Sequence, residues 1–241
     1  MKERIAIIGG TGLSRLDALE VERQQIVVTP YGEPSAPLTF GQFDGVPIVF
    51  LPRHGEAHTI PPHLVNYQAN LWALHSVGIR EVVSVASVGG ITLPPRALVV
   101  PDQIIDYTWG RGHTYVKCGC TPIKHVDFTH PYCEALRQRL LEAGREAGIE
   151  IADGGTYGAT QGPRLETAAE ICRMEQDGCD LVGMTGMPEA ALARELDLCF
   201  AHLSLVVNWA AGKSEGTISM EAIKEVLDTS IDSVRRIISR L

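Results

Sequence analysis

The chain has 241 residues, of which 45% are hydrophobic and 21% charged, and its 21 basic and 29 acidic side chains give a net charge of −8. That balance excludes an intrinsically disordered chain and argues against a duplex nucleic-acid or anionic-membrane surface, for which the sequence offers no basic patch. Apolar runs and turn signals alternate without a break or low-complexity linker, so residues 1–241 are expected to form a single domain.

The first element is Ile5–Ile8, an apolar run too short for a signal peptide or membrane span, which points to a cytoplasmic protein. It reads as a buried strand entering the turn Gly9-Gly10-Thr11-Gly12. Val46–Leu51 and Val82–Ser87 read as further strands, and Leu198–Val207 as a longer one. Helical periodicity runs from about Leu64 to His75, Pro131 to Ala147, Thr167 to Met174, and Met220 to the end, where Ile223, Val226, Leu227, Ile231, Val234 and Ile238 share one stripe. Strands that are apolar on both faces and alternate with helices predict an α/β fold, a mixed sheet flanked by helices. Tyr107–Thr129 has no clear period and reads as an irregular excursion or a binding loop.

The six cysteines (Cys118, Cys120, Cys133, Cys172, Cys179 and Cys199) are few for the length, and reduced thiols are expected. Cys118-Gly-Cys120 lacks the two-residue spacing of structural zinc sites, so with His113 and His125 nearby it reads as a glycine-bearing loop, and no metal is expected.

Gly9–Gly12 is an incomplete dinucleotide fingerprint, because Arg15 stands where a third glycine belongs. The turn makes better sense as an anion cradle, with converging amides and the Thr11 hydroxyl. Arg53 and His54 follow one strand, and arginine can grip a phosphate through two parallel hydrogen bonds. Ser87 ends another strand, followed by Val88 and Gly89. Such strand termini are where ligands lie in α/β sheets.

Five motifs then occur in order: Ile8-Gly-Gly-Thr-Gly-Leu13, Arg53-His-Gly55, Val65-Asn-Tyr-Gln-Ala-Asn70, Gln161-Gly-Pro-Arg164 and Gly183-Met-Thr-Gly-Met-Pro-Glu189. Through them nearly the whole chain resembles the purine nucleoside phosphorylase family, in its branch similar to 5′-methylthioadenosine phosphorylase. The resemblance implies a reaction without cofactor, in which inorganic phosphate is a co-substrate that displaces the purine from the anomeric carbon. It also implies a homotrimer. Carried over by motif position, Thr11, Arg53, His54, Ser87 and Thr185 would hold phosphate, and Met184 would pack on the sugar. Ser87, Val88, Gly89, Leu165 and Asn208 would surround the base, with Leu165 where relatives often stack an aromatic ring. Asn208, Arg53 and His54 would carry the catalysis.

The departure from adenine-specific relatives is at Asn208 and Ala210, where those carry aspartates. A carboxamide donates to a 6-oxo group that a carboxylate would repel, so a 6-oxopurine is expected. Ile218, Met220 and Ile223 stand where relatives that take methylthio substrates build an apolar 5′ pocket, so the resemblance implies S-methyl-5′-thioinosine as the expected substrate. General inosine or guanosine phosphorolysis, 5′-methylthioadenosine phosphorolysis and hydrolysis on the same scaffold are the alternatives. His125 matches a position that a neighbouring subunit lends to the 5′ pocket in the family, and His58 is a further candidate there.

Overall fold

The computed structural model describes residues 4–11, 13, 18–116, 123 and 125–241. Gly12, Cys118 and Cys120 lie outside the described residues. In chain order the strands are β1 (Ile5–Gly9), β2 (Leu19–Gln25), β3 (Leu38–Phe43), β4 (Val46–Pro52), β5 (Glu81–Gly90), β6 (Leu98–Val100), β7 (Gln103–Asp106), β8 (Ala152–Asp153), β9 (Thr156–Ala159), β10 (Leu181–Gly183) and β11 (Cys199–Trp209). The helices are α1 (Tyr67–Ser76), α2 (Glu134–Ala147), α3 (Ala168–Gln176), α4 (Gly186–Glu195) and α5 (Met220–Ile238). No helix among the described residues is long and apolar enough to cross a membrane.

Every strand and helix expected from the sequence is present, with small shifts at the ends. Helix α1 starts later than expected because Asn66 caps it, its side chain accepting from the Ala69 amide, while residues 62–64 form a separate 3-10 turn. Helix α2 starts at Glu134, after Cys133 in the extended region.

The alternation seen in the sequence is realised as two faces. In β1, Ala6 and Ile8 join a core with Leu71 and Leu74 of α1 and Ala190 of α4, whereas Ile5 and Ile7 join a second core with Leu140 of α2 and Leu227 and Val234 of α5. The predicted α5 stripe lies against that second core. Burying both faces of a strand requires helices on both sides, which is why the run reads as continuously apolar.

The mixed sheet branches at β5. Along one edge β11 pairs with it in parallel from Glu81 to Gly90. Along the other, β1 pairs in parallel as far as Ser84, and β10 pairs antiparallel from Gly89. Residues 85–88 therefore have no strand on that edge, and the sheet forks there. The fork is the opening in which the candidate site is built.

Reduced thiols were expected throughout, and the structure corrects this for one pair. Because α2 packs on β11, the residue before the helix and the first residue of the strand meet, and Cys133 and Cys199 are joined in a disulfide with Cα atoms 5.1 Å apart. Among the described residues Cys172 and Cys179 are free.

Candidate active site

A cavity of about 440 Å³ fills the fork. Thr11, Arg53, His54, Ser87, Val88, Gly89, Leu165, Met184, Thr185, Asn208, Met220 and Ile223 all line it, together with His58, Ile218 and Ala210. Residues spread over the full sequence thus meet in one place. His125 does not line it; this side chain is exposed on the surface.

Arg53 departs from the expected two-pronged grip. It follows β4 directly, its backbone N–H donates to Gly9 O at 2.9 Å, and its side chain is fully buried beneath the fork. Nε donates to Glu189 Oε1 at 2.5 Å, and Nη2 donates to Glu189 Oε2 at 3.2 Å and to Ser84 Oγ at 2.7 Å. Nη1 donates to the Val85 carbonyl at 3.1 Å, within the edge that no strand covers. The Ser84 hydroxyl closes the ring by donating to Glu189 Oε2 at 2.6 Å. A guanidinium has five N–H groups, so these bonds leave at most one for a ligand. Burial alone lowers the basicity of Arg53, but Glu189 more than offsets this and holds it above its ordinary value. Gly10 is required here, because a Cβ would lie 2.7 Å from Nη1 and 2.9 Å from Val85 O.

His54 is held in one tautomer. Nδ1 lies 2.8 Å from the Ile60 carbonyl, which can only accept, so Nδ1 carries the proton and Nε2 is left as an acceptor. Burial, reinforced by Arg53, lowers its pKa to about 4. The ring is neutral at pH 7. Deeper in the sheet, burial and Arg53 bring His202 to about 3.

These two rings give stability a pH dependence of defined sign. An unfolded histidine takes up a proton near pH 6.5, while the folded rings do so only near 4 or below, so stability is complete above 6.5 and is lost as pH falls through that value. His54 alone accounts for roughly 3 kcal/mol across the window. Urea midpoints measured between pH 7.5 and 5 are expected to fall progressively, with a shallower fall in His54→Gln. A midpoint that stayed constant in wild type would show that the rings take up protons freely in the folded state.

Thr185 sits where β10 has ended and α4 begins. Its hydroxyl is buried without a hydrogen-bond partner in the structure, and no side-chain cap bond occupies it. Such an orphan beside a helix N-terminus suits an anionic oxygen. Thr11 Oγ1 stands 3.4 Å from His58 Nε2 across the cavity mouth. Met184 is held against Gly162 (φ +61°), where a Cβ would lie 2.4 Å from the thioether sulfur.

Asn208 is aimed by a bulge. Val206 pairs with Val88 but Asn208 pairs with Gly89, which leaves Val207 as the extra residue. The Asn208 Nδ2 donates to its neighbour Trp209 O at 2.7 Å, which settles the amide orientation because a carbonyl cannot donate. One N–H and Oδ1 remain.

The sequence reading left Glu166, Ser84 and Glu189 without roles. Glu166 lines the cavity and accepts from Thr160 Oγ1 at 2.6 Å. Its place directly after Leu165 was a usable signal. For Ser84 and Glu189 nothing local distinguishes a buried ion-pair partner from a strand serine or a helix-start glutamate.

Residues 4–241 match the family model described as the phosphorylase superfamily. A protein of Xanthomonas campestris pv. campestris named probable S-methyl-5′-thioinosine phosphorylase is 49% identical over 240 residues, covering 98% of this chain and 96% of that protein. A probable 6-oxopurine nucleoside phosphorylase of Dictyoglomus turgidum is 46% identical over 236 residues, covering 97% and 89%. Methylthioadenosine phosphorylase from Schistosoma mansoni, solved in complex with adenine, superposes with a TM-score of 0.94 at 32% identity, covering 99% of this chain and 90% of that one. A family match over residues 4–241, joined to a full-length structural likeness, establishes that the chain belongs to the phosphorylase superfamily.

Proposed function

We propose that this chain, acting as a single catalytic domain, catalyses phosphorolysis of a 6-oxopurine nucleoside. The preferred reaction is S-methyl-5′-thioinosine plus phosphate to hypoxanthine and 5-methylthioribose 1-phosphate. The names of the Xanthomonas and Dictyoglomus relatives agree with a 6-oxopurine substrate.

The observation that carries the reading is that one cavity holds two unlike recognition sets. At the fork, the Thr185 hydroxyl without a partner, Thr11, Ser87 and neutral His54 suit a phosphate that keeps a proton to donate to an imidazole nitrogen. At the other end Asn208 and Glu166 combine a donor with an acceptor. A 6-oxopurine has O6 to accept and N1–H to donate; adenine has neither in those places.

In the reaction a phosphate oxygen forms a bond to the anomeric carbon while the glycosidic C–N bond breaks and its electron pair passes into the purine. Negative charge builds on the ring, and the free Asn208 N–H gains strength in the transition state as O6 or N7 becomes more basic. Leu165 gives the ring apolar contact, and Met184 lies on the sugar face. Ile218, Met220 and Ile223 favour a methylthio group over a hydroxyl, by about 1–2 kcal/mol for a group of that size. The exposed position of His125 accords with a homotrimer in which it serves a neighbouring site; light scattering that gave a monomer mass would remove that part.

The test is a substrate panel. Methylthioinosine, methylthioadenosine, inosine, guanosine and adenosine are supplied with and without phosphate, and base release is followed by absorbance. Phosphate-dependent turnover with methylthioinosine first is expected. Adenine nucleosides ahead of 6-oxo ones would overturn the base assignment, and turnover without phosphate would point to hydrolysis.

A further inference from the structure

The irregular segment after β7 supplies one side chain that lies outside the cavity yet binds both of its loops. Strands β9 and β10 pair in parallel up to Ala159 and Gly183, and beyond that point no ladder continues. The two chains diverge there. One runs through Thr160 and Gln161 to Leu165 and Glu166, the other through Met184 and Thr185 into α4. Each leaves backbone carbonyls that need donors once the ladder has stopped.

Arg111, only 9% exposed, provides them. Nη1 donates to Met184 O at 2.8 Å and Met187 O at 2.6 Å, with Tyr67 Oη at 3.2 Å. Nη2 donates to Thr160 O at 3.1 Å and Gln161 O at 2.8 Å, and Nε donates to Gln161 Oε1 at 3.2 Å. All six acceptors are neutral. The planar fork of one guanidinium thus spans the two loops, which the single nitrogen of a lysine cannot do.

We propose that Arg111 is a positioning residue that fixes the separation between the base-side loop, Thr160–Glu166, and the sugar and phosphate loop, Gly183–Met187. The consequence for rate rests on the phosphorolysis reading; the consequence for loop order does not. If the loops drift, Leu165 and Glu166 move relative to Met184 and Thr185, and substrate can no longer meet both sets at once.

Two variants and two readouts test this. In Arg111→Lys, hydrogen exchange of amides in 160–166 and 184–189 is expected to quicken on the order of tenfold or more while β1 and β5 keep wild-type protection. The kcat/KM for methylthioinosine is expected to fall about 100-fold, the scale of a misplacement of about 1 Å. In Arg111→Ala, added guanidinium ion is expected to restore part of both. Unchanged exchange in both loops in both variants would overturn the proposal. So would equal loss of protection in β1 and β5, since the residue would then hold the whole fold. A wild-type protein without phosphorolytic turnover would sink the reaction assignment while leaving the exchange result to decide about Arg111.

Discussion

Glu189→Gln is expected to destabilise the protein by about 3–5 kcal/mol, the cost of leaving a buried partner charge uncompensated. Arg53 and Glu189 are both fully buried, and in this variant Arg53 would retain only neutral acceptors. For a chain of this length the loss corresponds to a fall in Tm on the order of 10 °C. Activity is expected to fall as well, because Arg53 Nη1 at Val85 O defines the closed end of the fork. The double variant Arg53→Met with Glu189→Leu separates the two effects. Replacing both charges by apolar groups removes the desolvation penalty with the pair, so most of the stability is expected to return while turnover stays low. Scanning calorimetry of the three proteins decides it. A Glu189→Gln protein within about 1 kcal/mol of wild type would mean that water reaches the pair, contrary to its burial.

Asn208→Ala is expected to lower kcat about 100- to 1000-fold, the usual effect of deleting one preorganised donor to developing charge, with a smaller change in KM for the nucleoside. Asn208→Asp is more informative. The wild-type amide donates to Trp209 O, and a carboxylate in its place would face that carbonyl with two acceptors. The variant must turn the side chain or take up a proton, so a gain toward 6-amino purines is expected to be small and confined to lower pH. Steady-state rates with methylthioinosine and methylthioadenosine across pH 5.5 to 8 check this. Loss of methylthioinosine turnover by less than tenfold in Asn208→Ala would move the leaving-group role elsewhere in the cavity.

Much of the fold was legible because burial on both faces leaves a signature in composition. Ile5–Ile8 is continuously apolar, the runs from Val82 to Ala86 and along β11 to Val207 are interrupted only by the fully buried Ser84, His202 and Ser204, and α5 carries a regular stripe. The elements not foreseen are those whose pattern is short or mixed. Strand β2 is mostly exposed, and β8, β9 and β10 have 2, 4 and 3 residues. The β3–β4 hairpin did carry a readable signal: Asp44-Gly45 joins two apolar strands, with φ of 48° and 81° at the two turn residues. Helix α4 was obscured by Met187 and Pro188, where Met187 keeps non-helical angles just inside its start.

The sequence by itself determined the layered α/β arrangement, because the apolar period of each segment fixes which faces must be covered, and it determined which residues gather at the strand ends. Only the tertiary structure decided what those residues can do there. Whether Arg53 faces a ligand or a carboxylate depends on Glu189, distant along the chain; whether His54 is charged depends on its burial, reinforced by Arg53; and which way Asn208 turns depends on the slip at Val207 against Val88 and Gly89 of β5. A side chain's hydrogen-bonding capacity is finite and its pKa follows its surroundings, so residue type states what is available, and the three-dimensional neighbours state how much remains for a substrate.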